Sequence, residues 1–131
     1  MSPARWRGGC LLAALAFAVS CSPGIVVEQA EGGRLGGDWR PAAWITDDGH
    51  LAVVVAGSSG CPTEPVEVEP LDPHHLVVTV RPDEPSNGAV CTADLVPTTS
   101  VIRLPAEISA PPLTVDFRGK GHGVPHSVTL R

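Results

Sequence analysis

The chain of 131 residues has no Tyr, one Met, two Phe and a single Lys, and aromatic residues make up only 4% of it. It also lacks any apolar run long enough to cross a bilayer. The longest, residues 10–19, is ten residues, against the roughly 20 that a spanning helix needs. No stretch after position 21 shows the 3.6-residue period of an amphipathic helix, and 14 Gly, 14 Pro and 17 Val argue against a helical bundle. An excess of base is missing too. Seven bases face 14 acids after position 21, a balance of −7. Nucleic-acid binding, which relies on clustered Lys and Arg to displace counterions from phosphates, is therefore not expected. Disorder is excluded as well, because 43% of the residues are apolar and the valines fall in short alternating runs.

The first twenty-one residues read as an address. Arg5 and Arg7 form a positive n-region, and residues 10–19 have the length of a signal-peptide h-region. Two cleavage patterns compete. Ala16-Phe17-Ala18 has the small-x-small form of ordinary secretion, which would release a soluble protein after Ala18. Ala18-Val19-Ser20-Cys21, with Ser22 following, resembles the lipobox of bacterial lipoproteins, in a relaxed form with Ala18 where Leu, Val or Ile is usual. That resemblance implies a signal peptide over 1–20, a diacylglyceryl group on Cys21 and an extracytoplasmic protein on the cell membrane. The cysteine count favours it. Cys10 leaves with the signal peptide, and Cys21, Cys61 and Cys91 are an odd number for an oxidising compartment. Lipid on Cys21 leaves Cys61 and Cys91 to pair. Two acyl chains also meet the requirement for stable anchoring, which one chain does not.

Residues 21–37 hold two Gly-Gly pairs and little apolar material, so they are expected to form a flexible tether. The alternative is that a first strand begins at Ile25 and adds to the sheet. From Asp38 the strand signals are clear. Residues 43–46 lead into Asp47-Asp48-Gly49, a hairpin turn, and residues 51–56 are apolar on both faces, as in a central strand. Val66/Val68, Leu76/Val78/Val80, Ile102/Leu104, Leu113/Val115/Phe117 and Val128/Leu130 each alternate with other residues. Seven or eight short strands broken by Pro and Gly predict an all-β, immunoglobulin-like sandwich over 38–131 with one disulfide, Cys61–Cys91.

Three groups of residues invite a chemical reading. Gly57-Ser58-Ser59-Gly60-Cys61-Pro62 is close to a nucleophile elbow, but its second Gly falls one residue early and no helix follows. Its backbone N–H groups could instead line a small anion nest, or the segment could simply turn tightly beside the disulfide. Asp94 is expected to accept hydrogen bonds from Thr98 and Thr99. Among the histidines, His122, His126 and His74 are the candidate copper or zinc ligands, with His122 and His126 brought together by the glycine-rich tip before them. One of Trp39 and Trp44 is expected to pack on the disulfide.

Gly57, Ser58, Ser59, Cys61 and Pro62, followed by Cys91, Thr92, Asp94, Pro97, Thr98 and Thr99, resemble two segments of a group of small secreted proteins and lipoproteins from high-GC Gram-positive bacteria. The resemblance implies location and brings no activity with it. The expected function is thus a non-catalytic binding module on the cell surface, with no cofactor. Its partners would be the membrane, through the anchor, and an extracytoplasmic protein or small ligand. A metal-binding lipoprotein is the alternative.

Overall fold

A computed structural model describes residues 24–84, 90–109 and 111–131. The signal peptide, the cleavage patterns and Cys21 lie outside the described residues. The described chain is an all-β sandwich of eight strands in two four-stranded sheets, with a Cys61–Cys91 disulfide. No described helix is long and apolar enough to cross a membrane.

The first sheet has the order β1 (Val26–Glu31), β6 (Val96–Ile102), β3 (Leu51–Gly57), β2 (Ala42–Ile45). The second has the order β4 (Thr63–Asp72), β5 (His75–Pro82), β7 (Leu113–Gly119), β8 (His126–Leu130). All pairings are antiparallel except β5 with β7, which is parallel because the chain visits β6 in the other sheet between them. Such a crossover needs a long connection and cannot be made by a tight turn.

The two-residue alternation of the sequence becomes the core. Leu51, Val53 and Val55 of β3 meet Leu76, Val78 and Val80 of β5 and Leu113, Val115 and Phe117 of β7, all at most 1% exposed. β3 is buried along its whole length, as its two apolar faces require. Its hairpin with β2 turns at residues 46–50. There Gly49 takes φ +84 and donates its N–H to the Thr46 carbonyl at 2.9 Å. β4 carries Pro65 and Pro70, each beside a register shift, and it is an edge strand. Proline cannot donate to a ladder, and an edge position with register shifts accommodates both residues.

The tether reading is overturned at residues 26–31. Val26–Glu31 is β1, paired with β6 at the edge of the first sheet, and the sandwich therefore begins before Asp38. The signal was weak because the strand is almost wholly exposed and so shows little alternation. The following glycines are no spacer either. Because β1 and β2 are opposite edges of one sheet, residues 32–41 must cross its outer face. Gly33, at φ +118, lies so close that a Cβ would strike Thr99 Oγ1 and sit 3.2 Å from Val54. Gly32 donates its N–H to the Pro97 carbonyl at 2.8 Å and accepts the Thr99 hydroxyl at 2.7 Å. This strap lies on the outer-facing side of Val54, which is fully buried.

β3, β5 and β7 all run toward one end of the sandwich, where residues 58–62, 83–84, 90–95 and 120–125 gather. The other end carries the start of β1, the β2–β3 hairpin, the β4–β5 turn and residues 103–109 and 111–112.

Candidate functional site

β3 and β6 are neighbours, and the disulfide joins the segment leaving the first to the segment entering the second, with Cα atoms 5.3 Å apart. Cys61 is buried at 1% exposure. Gly60 allows the close approach. A Cβ there would lie 3.2 Å from the Thr92 side chain and backbone.

Around this bridge the two distinctive sequence segments interlock. Asp94 Oδ2 accepts the Ser59 hydroxyl at 2.5 Å, and Oδ1 accepts the Ser59 N–H at 3.0 Å and the Thr92 hydroxyl at 2.6 Å. With its hydrogen committed to Asp94, Thr92 Oγ1 must accept. It takes the Gly60 N–H at 2.9 Å and the Ser58 hydroxyl at 2.7 Å. Ser58 Oγ in turn accepts the N–H groups of Gly60 at 3.1 Å and Cys61 at 3.3 Å. The anion nest anticipated in this loop is therefore filled from within, by Asp94 together with the Thr92 and Ser58 hydroxyls. Donation from the Ser59 hydroxyl, then Thr92, then the Ser59 N–H holds the Asp94 pKa down to about 2.

The expected partners of Asp94 are corrected by the sheet. Thr98 and Thr99 are successive residues of β6, so they point to opposite faces. Thr99 bonds to the strap on the outer face, while Thr98 is buried on the inner one. Neither tryptophan is buried. Trp39 is 49% and Trp44 42% exposed, and Trp44 lies opposite Ala52, toward the other end of β3 from Cys61.

The three candidate metal ligands are not brought together. His74, in the β4–β5 turn, donates from Nδ1 to the Pro112 carbonyl at 2.8 Å, and its own carbonyl accepts the Thr114 N–H. His126 pairs with Phe117 farther up β7, roughly 10 Å along the strand from Thr114, whereas zinc needs its ligands about 2 Å from one ion. His122 is exposed in the loop at that upper end, opposite His74. The parallel β5–β7 pairing sets this separation. Among the described residues no group of three or more His, Cys, Asp or Glu is placed to hold a metal.

That same pairing builds a second network, which the sequence pattern did not reveal. On the outer face of the second sheet Asp116 Oδ2 meets His75 Nε2 at 2.6 Å, and Oδ1 accepts the Ser127 hydroxyl. The Ser127 hydroxyl and then His75 hold the Asp116 carboxyl below its ordinary range, with Arg118 adding a smaller favourable charge. Serine, aspartate and histidine are all present, but in the wrong order for a triad. The carboxylate stands between serine and histidine, whereas nucleophile activation needs the imidazole there. Only the alternation of β7 hinted at the site, by placing Asp116 on the outer face. The neighbouring strand could not be read from sequence.

No protein-family model matches the chain, and neither a curated protein nor a solved structure does so.

Proposed function

We propose that the chain is an extracytoplasmic lipoprotein, anchored through Cys21, whose sandwich binds a partner and catalyses nothing. The observation that carries the anchor is the pairing of Cys61 with Cys91. Of the cysteines downstream of the h-region, it leaves Cys21 over, at the position where the lipobox resemblance asks for a thiol. The non-catalytic reading is supported by the two polar networks. In each, a serine hydroxyl donates to a carboxylate whose pKa is lowered, which makes that carboxylate a poor general base.

The anchor acquires a direction from β1. Only residues 22–25 separate Cys21 from Val26, roughly 17 Å at full extension. The end carrying the β2–β3 hairpin would face the bilayer, and the end carrying the disulfide would be presented outward. The net −7 after position 21 opposes close contact with an anionic membrane.

Fractionation of the producing cells tests the anchor. The native protein is expected in the membrane fraction, and Cys21→Ser in the soluble or secreted fraction. Membrane retention by Cys21→Ser overturns the reading.

A further inference from the structure

One side of the sandwich, between the edge strands β1 and β4, is crossed by the side chain of Gln29. The Gln29 amide donates to Ser100 Oγ at 3.0 Å and to Glu64 Oε1 at 3.2 Å, tying the first sheet to the second. Next to it, toward the disulfide end, lies a slot of about 170 Å³ between β1, β6 and the turn after β3. Its polar lining comes from Gln29, Glu31, Ser59 and Thr98.

These groups have one chemical property in common. Glu31 and Thr98 are direct cross-strand partners, so both side chains lie on the same face of the pair. Thr98 is 4% exposed, and its hydroxyl has no hydrogen-bond partner among the described residues. A buried hydroxyl left without a partner costs about 1–3 kcal/mol, which a hydrogen-bonding group entering the slot would offset. Both Gln29 contacts use Nε2, which leaves Oε1 as an acceptor. The Ser59 hydrogen is committed to Asp94, which leaves the hydroxyl of this lining residue only acceptor capacity. Glu31 supplies a carboxylate. The complement of three or four acceptors, one of them anionic, is a cation with several N–H donors.

The surroundings extend the same preference. Glu28 lies on β1, and Glu64, Glu67 and Glu69 lie on β4. The one ion pair among the described residues, His75–Asp116, is on a different face of the molecule. Charged residues on an edge strand also discourage edge-to-edge aggregation, and that suffices for Glu67 and Glu69. It does not explain a buried threonine that lacks a partner among the described residues and stands beside a carboxylate.

We propose that this side of the sandwich receives an extended basic segment of a partner protein, laid along the free edge of β1 with one Lys or Arg side chain in the slot. The proposal rests on the reading of the chain as a binding module and is independent of the anchor. β1 has a free backbone edge and is exposed along nearly its whole length, as strand addition requires. The slot lies at the disulfide end of the sandwich.

The test uses the mature protein, purified from whichever cell fraction holds it, and a fluorescein-labelled octapeptide of alternating lysine and valine. Anisotropy is expected to show saturable binding that weakens with salt. Glu31→Gln and Thr98→Val should each weaken it roughly tenfold or more, whereas Thr98→Ser, which keeps the hydroxyl, should retain it. Glu107→Gln, at the opposite end of the sandwich, should bind like the native protein. Unfolding midpoints of the variants confirm that each is folded. Absence of binding overturns the proposal, as does unchanged binding by Thr98→Val. Equal loss in Glu107→Gln, or full displacement by spermidine at the peptide's own concentration, also overturns it. Because the peptide result is read wherever Cys21 directs the protein, its failure is separate from failure of the anchor.

Discussion

Ser59 grips Asp94 twice, with its hydroxyl 2.5 Å from Oδ2 and its backbone N–H 3.0 Å from Oδ1. The two residues are 35 apart in sequence, and the contact fastens the turn after β3 to the segment before β6. It lies beside the disulfide and does the same mechanical work without a covalent bond.

That grip predicts a pH dependence. The Asp94 pKa falls from 3.8 to about 2 on folding, so the folded state favours the carboxylate. Its stabilising effect is complete above about pH 4 and is lost as pH falls toward 2. Asp116 is shifted in the same direction and adds to the acid loss. Urea unfolding of the native protein and Asp94→Asn at a series of pH values checks this. The difference in stability between them should shrink steadily below about pH 4, and a constant difference would rule the linkage out.

Removing the disulfide should cost more. Cys61 and Cys91 close a loop with a sequence separation of 30, which corresponds to about 3–4 kcal/mol of denatured-state entropy at 25 °C. The double Cys61→Ser/Cys91→Ser variant is expected to lose that amount in denaturant unfolding while keeping the sandwich, because the Ser59–Asp94 contact survives. In the native protein both thiols should resist alkylation until reduced.

The strap has its own test. Gly33 combines a left-handed φ of +118 with Thr99 and Val54 directly above the missing Cβ. Gly33→Ala should destabilise the fold by about 1–3 kcal/mol. Gly37→Ala, with no atom within 4 Å and an ordinary φ, should be near neutral in the same thermal melt. Equal effects of the two would mean that residues 32–41 do not hold the sheet face as described.

Much of the fold was legible because burial imposes a period. Leu76, Val78 and Val80 announce one face of a strand, residues 51–56 announce a strand buried on both, and Asp48-Gly49 announces the turn before it. β1 was not legible because an exposed edge strand has no buried face to enforce alternation. The glycines after it looked like flexible linker, yet they are glycines because a backbone crosses a sheet at close range. The two segments around Cys61 and Cys91 could be singled out from sequence, but their hydrogen-bond partners could not. Asp94 is reached by Ser59, 35 residues away, and by Thr92, while the pleat of β6 turns Thr98 and Thr99 to its two faces.

By itself the sequence determined the all-β class, the acidic balance, the cysteine arithmetic and the central position of β3. All of these follow from composition and from local two-residue periodicity. The tertiary structure alone decided that β5 and β7 run parallel, which parts His74 from His126 and joins His75 to Asp116. It alone placed Glu31 across from Thr98. Pairing between strands distant in sequence leaves no local mark on the chain, because any two alternating segments offer the same backbone donors and acceptors. Their choice of neighbour is made only when the whole sandwich packs.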